Sequence, residues 1–129
     1  MSTENLILKA TNNCAAAVWA ENKKFFDVSI SRYYYCLYEK AIYIAITNGF
    51  YSYSINGHDS HKQFIADFQK NIQNKLSPKE ITWLATFGDL KNQRNFADYK
   101  QSCTTENQFN LGFKLKYQQI DSILTRLAI

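Results

Sequence analysis

Glycine and proline are scarce in this chain, four and one in 129 residues. A many-stranded β fold draws its tight turns from those two residues above all, so their scarcity argues against a sandwich or a barrel. It also leaves no linker, repeat or low-complexity tract. No apolar run approaches the ~20 uncharged residues of a membrane-spanning helix. The opening MSTENLILKATNN lacks the basic and then apolar layout of a signal peptide, and the expectation is a cytoplasmic protein with no membrane association.

Cysteine is limited to Cys14, Cys36 and Cys103, far apart and with no CxxC pair. A structural zinc site needs four clustered ligands and a disulfide framework an even number of thiols, so these read as reduced packing residues, with no metal and no cofactor expected. Strong charge of one sign is missing too: the net charge is +4, with arginine only at positions 32, 94 and 126. That balance permits weak attraction to a polyanion without being the footprint of a nucleic-acid binder.

What is present is a 46% hydrophobic composition, enough for a single domain over residues 1–129 to close its own core. The stretch Phe25 to Gly49 carries bulky apolar or aromatic residues on nearly every side between Val28 and Ile46. Apolarity all round marks a helix with neighbours on most sides, and this one is expected at the centre. Glu39 and Lys40 mark a narrow exposed seam, while Arg32 stands beside three tyrosines. Asn48 and Gly49 end the helix, because glycine accepts the left-handed conformation of a closing turn.

A first helix is expected from Asn5 to about Glu21, with Asn12 and Asn13 as weak points in its middle. The segment FYSYSINGHDS alternates aromatic and small polar residues but has no nearby strand to pair with, so it reads as a loop. Ser60 opens a third helix to about Lys75, with Phe64, Phe68 and Ile72 on its core face. Ser77, Pro78 and Glu80 supply an N-cap, a first-turn proline and a capping-box glutamate. That helix is expected to run past Leu84 and Gly88 through Arg94 to Tyr99, loosened at Gly88. Thr105 caps a last helix lined by Phe109, Phe113, Ile120 and Leu124. The fold class is all-α, a four to five helix antiparallel up-and-down bundle, with Tyr34, Leu37, Ile44, Leu84 and Phe113 buried.

Four pieces, SRYYYCLYEKAIYIA, GHDSHKQF, LKNQRNFADY and a final amphipathic helix, resemble in that order the HEPN family of small bacterial helical proteins. The resemblance covers about Asn5 to Leu127. It implies a HEPN-like bundle, a homodimer, and metal-independent cleavage of RNA, with a nucleotidyltransferase-fold partner in toxin and antitoxin style pairs. The family's catalytic pattern is an arginine, four to six intervening residues, and then a histidine. Arg94 matches the arginine, whereas Tyr99, Lys100 and Gln101 stand where the histidine is due. Tyrosine, with a pKa of about 10, is a poor base at neutral pH. The candidate catalytic residues are thus Arg94, Asp98 and Tyr99, and the candidate nucleic-acid contacts are Arg32, Arg94, Lys100 and His58.

Each of these residues also has a plain structural reading. Arg94 and Asp98, four apart, can simply pair along the helix. Arg32 is either a phosphate contact or a buried guanidinium stacked on a ring and satisfied by an acid such as Asp98. Tyr99 is either a functional hydroxyl or a helix-end aromatic. His58 and His61, the only histidines, can hold a metal, act as a displaced base, or cap the third helix. Two function classes follow: an RNA-directed HEPN-like protein, or a non-catalytic helical binding or assembly module that has lost the Arg/His chemistry.

Overall fold

The computed structural model describes residues 3–50 and 60–128, and among these it is all-helical with no strand. Helix α1 spans Thr3–Asn22, α2 Phe26–Thr47, α3 Ser60–Ile72, α4 Pro78–Leu84 and α5 Phe87–Tyr99. The last helix begins with a wide π-wound stretch, Gln108–Lys114, that passes directly into α6, Leu115–Leu127. With α4 and α5 taken as one broken rod, five helical rods make the bundle expected from the periodicity. Of the segment that reads as a loop in the sequence, residues 51–59, His58 among them, lie outside the described residues.

Helix α2 is the centre. It packs against α1, α5 and α6, and Tyr34, Leu37, Ala41 and Ile44 on it are at most 1% exposed. Gly49, at φ +77°, ends it in the left-handed conformation, and the Asn48 side chain donates to the Ile44 carbonyl at 2.7 Å. The five residues expected in the core, Tyr34, Leu37, Ile44, Leu84 and Phe113, are all buried. No described helix is long and apolar enough to cross a membrane.

Three local expectations need correction. Glu39 and Lys40 are half-buried rather than an exposed seam, because each reaches a partner: Glu39 accepts from Asn13, and Lys40 donates to Asp121 at 2.5 Å. The third helix ends at Ile72 and tightens into a 3₁₀ turn, Gln73–Lys75. The fourth helix breaks at Ala85 and Thr86, not at Gly88. There the Gln69 side chain takes the Leu84 carbonyl at 2.9 Å, and Thr86 turns its hydroxyl onto Trp83 at 2.7 Å. A carbonyl claimed by a neighbouring helix no longer holds the next turn of its own.

The expected Ser77 capping box forms, and the expected Thr105 cap is completed to a second box by Gln108. Ser77 and Glu80 exchange bonds of 3.2 and 2.9 Å, and Thr105 and Gln108 exchange bonds of 3.1 and 2.9 Å. The second box fixes where the π-wound stretch starts, and Gln93 of α5 donates to the Gly112 carbonyl within it at 3.0 Å. The widened turns lay Phe109, Phe113 and Tyr117 in one row. Tyr33 meets all three, with ring centres 4.3 Å apart at Tyr117. No disulfide holds the bundle, since all three cysteines are free; Cys36 is buried and Cys14 reaches the Tyr117 hydroxyl at 3.6 Å, whereas Cys103 is exposed and is not the packing residue expected.

Candidate functional site

The site is built where α2, α3 and α5 meet around Tyr34. Helical spacing puts Tyr34 and Tyr38 on one face of α2, four apart, with Tyr35 beside them. Tyr34 is fully buried. Its hydroxyl shares a hydrogen bond of 2.9 Å with His61 Nδ1, in the first turn of α3. The His61 ring lies flat on Tyr38, 4.0 Å between centres and 9° between planes. From the other helix, the Arg94 guanidinium sits 5.5 Å from the Tyr34 ring centre and 5.4 Å from that of Tyr35. Distances of this size are those of cation–π contacts.

Arg94 is buried, 9% exposed, yet poorly satisfied. Among the described residues its one ion pair is to Asp98, one turn along α5, at 3.4 Å. Its Nε–H is buried without a hydrogen-bond partner among the described residues. A buried arginine with spare donors is costly to stability, and such groups call for an explanation beyond packing. Arg32 sits nearby, its guanidinium 5.2 Å from the Tyr35 ring centre. Its hydrogen bonds go to Asn13 Oδ1 at 3.1 Å and Ser31 Oγ at 3.2 Å. The acid expected to satisfy it, Asp98, serves Arg94 instead, and Asn13, a weak point of α1 by sequence, is the residue that holds Arg32.

The other sequence candidates are not gathered here. Tyr99 follows Arg94 by five residues, about 140° round the helix, and is 76% exposed. Lys100 lies just past the end of α5 in extended backbone and is exposed. His58 is outside the described residues. Sequence reasoning left His61 open among a metal ligand, a displaced base and a helix cap, and took Tyr34 only as a core residue. Nothing in the spacing pairs residues 34 and 61.

The pKa of His61 is held below the ordinary imidazole value, first by burial and then by the nearby charges of Arg94 and Lys91. The ring is therefore neutral at pH 7, in the form that accepts a proton. Burial drives the Tyr34 hydroxyl far above the usual phenol range, so it stays protonated. Unfolding returns His61 to about 6.5, so the unfolded chain takes up more protons across the window between the two values. Stability contributed by the neutral ring is complete above about pH 6.5 and is lost as pH falls toward the folded value. Urea titrations of wild type and His61→Gln should therefore diverge from about pH 6.5 downward, with only wild type losing this increment. Parallel curves would contradict the depressed value.

Among the described residues, no three His, Cys, Asp or Glu side chains cluster as metal ligands. No protein-family model, curated protein or solved structure matches this chain.

Proposed function

We propose that this chain is an RNA-directed, HEPN-like ribonuclease of the cytoplasm in which His61 takes the place of the histidine missing after Arg94. The observation that carries the reading is that Arg94 and His61 meet at one buried tyrosine, Tyr34. Cleaving RNA without a metal needs a base for the ribose 2′-hydroxyl and a fixed cation for the charge that builds on phosphorus. With Nδ1–H donating to Tyr34, His61 keeps the Nε2 lone pair for the 2′-hydroxyl proton. The 2′-oxygen attacks phosphorus, the bond to the 5′-oxygen breaks, and that oxygen leaves with a proton from water. A cyclic 2′,3′-phosphate remains. The charge of the Arg94 guanidinium holds the phosphoryl oxygens, and Asp98 positions Arg94. Exposed Lys100, just past the end of α5, adds a positive charge for the RNA backbone, while Tyr99 faces away from Arg94 and takes no part.

Substitution of Arg94 separates this reading from simple helix pairing. Methionine fills much of the same volume without charge, and the Asp98 carboxylate left behind is partly exposed to water, so Arg94→Met should leave the fold intact with stability within about 1 kcal/mol of wild type. Its RNA affinity should fall, and the deficit should shrink as salt rises, because a phosphate contact acts partly through counterion release. Filter binding over a salt series and a urea titration measure both. A variant that is less stable and binds RNA unchanged would reduce Arg94 to a partner for Asp98, which is what a non-catalytic binding or assembly module requires.

A homodimer belongs to the same proposal. Trp19 and Phe25, 56% and 51% exposed, make an edge-to-face pair at the turn between α1 and α2, and exposed apolar surface of this kind favours a partner. Sedimentation should show a dimer at micromolar concentration, and a monomer at high micromolar concentration would count against it. A nucleotidyltransferase-fold protein is the second partner proposed, and the identity of the neighbouring gene tests it.

A further inference from the structure

A concavity of about 390 Å³ opens between α1 and α2, with Lys9, Asn13, Arg32, Tyr35, Tyr38 and Glu39 among its lining residues. Its size falls in the range of roughly 300–1,000 Å³ usual for small-molecule sites. It shares residues with the Arg94 site: Tyr35 carries the Arg94 guanidinium 5.4 Å from its ring centre, and Tyr38 stacks on His61. A ligand in the pocket thus lies within one nucleotide's reach of Arg94.

The polar groups of the pocket form an ordered chain. Arg32 donates to Asn13 Oδ1, which turns the Asn13 amide so that its Nδ2 donates to Glu39 Oε1. Residues 32, 35 and 39 share one face of α2 by their spacing of three and four, and Asn13 reaches across from α1 to lock them. Glu39 accepts and does not donate, whereas Lys9 and Arg32 only donate. Burial raises the pKa of Glu39 even against Asn13, Lys9 and Arg32, as expected of a carboxylate short of donors.

We propose that this pocket reads a guanine base of the RNA strand, with Glu39 accepting from its N1–H and N2–H groups. Guanine sets those two donors beside an acceptor edge, O6 and N7. The donor edge matches Glu39, the acceptor edge matches Lys9 and Arg32, and Tyr35 and Tyr38 supply the aromatic wall for the ring. Adenine and cytosine bring one amine but set a ring nitrogen lone pair beside it, facing the carboxylate. Uracil offers a single N–H between two carbonyl oxygens.

The inference rests on the reading of Arg94 as a phosphate contact, and its test separates the two. Calorimetric titration with GMP, AMP, CMP and UMP should show GMP binding at least about tenfold tighter, and guanosine should keep that lead over adenosine without a phosphate. Glu39→Gln should erase the lead, since an amide turns a donor toward the base. Equal binding of the four nucleotides by the wild-type protein overturns the inference, and so does a guanine preference that survives Glu39→Gln. If base preference is absent while Arg94→Met still loses affinity for RNA, the pocket assignment fails and the phosphate contact stands. If guanosine is preferred while Arg94→Met binds RNA unchanged, the pocket stands and the phosphate contact fails.

Discussion

His61→Gln should slow RNA cleavage by about 10²- to 10⁴-fold, the usual contribution of a positioned general base, with RNA affinity nearly unchanged. Glutamine fills part of the same space against Tyr38 and can still bond the Tyr34 hydroxyl, but it has no lone pair able to take up a proton near neutral pH. The effect is therefore on rate and not on binding, opposite to that expected at Arg94. Single-turnover cleavage beside equilibrium binding measures the split. A variant that cleaves as fast as wild type would remove His61 from the chemistry.

The second large effect is on the fold. Phe113→Ala should cost about 3–5 kcal/mol, as buried phenylalanine truncations do. Phe113 is fully buried, and its ring centre stands 5.9 Å from Phe109, 6.2 Å from Tyr117 and 6.3 Å from Tyr33. Domains of this size are stable by only about 5–15 kcal/mol, so the variant loses a large share of its margin. Leu111, two residues away in the same π-wound stretch and 79% exposed, is the control: Leu111→Ala should stay within about 0.5 kcal/mol of wild type. Urea midpoints distinguish the two, and similar losses at both positions would mean that the stretch is not wound as described.

The bundle was legible in the sequence because its signals are local. Apolarity on all sides of the stretch from Val28 to Ile46 marks a surrounded helix, and Ser77 with Glu80 as a capping box and Thr105 as a cap are local signals whose hydrogen bonds form. The break at Ala85 and Thr86 was not legible, because its cause is a bond from Gln69 on another helix. The same holds for Glu39 and Lys40, whose partners Asn13 and Asp121 lie 26 and 81 residues away. Of the site, the pair Arg94 and Asp98 follows from helical spacing. The position of His61 against Tyr34 does not, since it depends on how α3 docks after a connection that carries no periodic signal. Tyr99 drew attention through its place in a motif, yet helix geometry turns it away from Arg94.

The most direct test of the Arg94 and His61 site is the pH dependence of RNA cleavage by the purified protein in excess chelator. The account predicts a rate that rises with pH with its half-maximum below about pH 6.5, as His61 loses its proton; His61→Gln should remove that rise, and Arg94→Met should lower the rate and move the rise to higher pH, since it takes away a charge that depresses the His61 value. Rapid cleavage with a profile untouched by either substitution would contradict it, as would no cleavage by the wild-type protein at any pH.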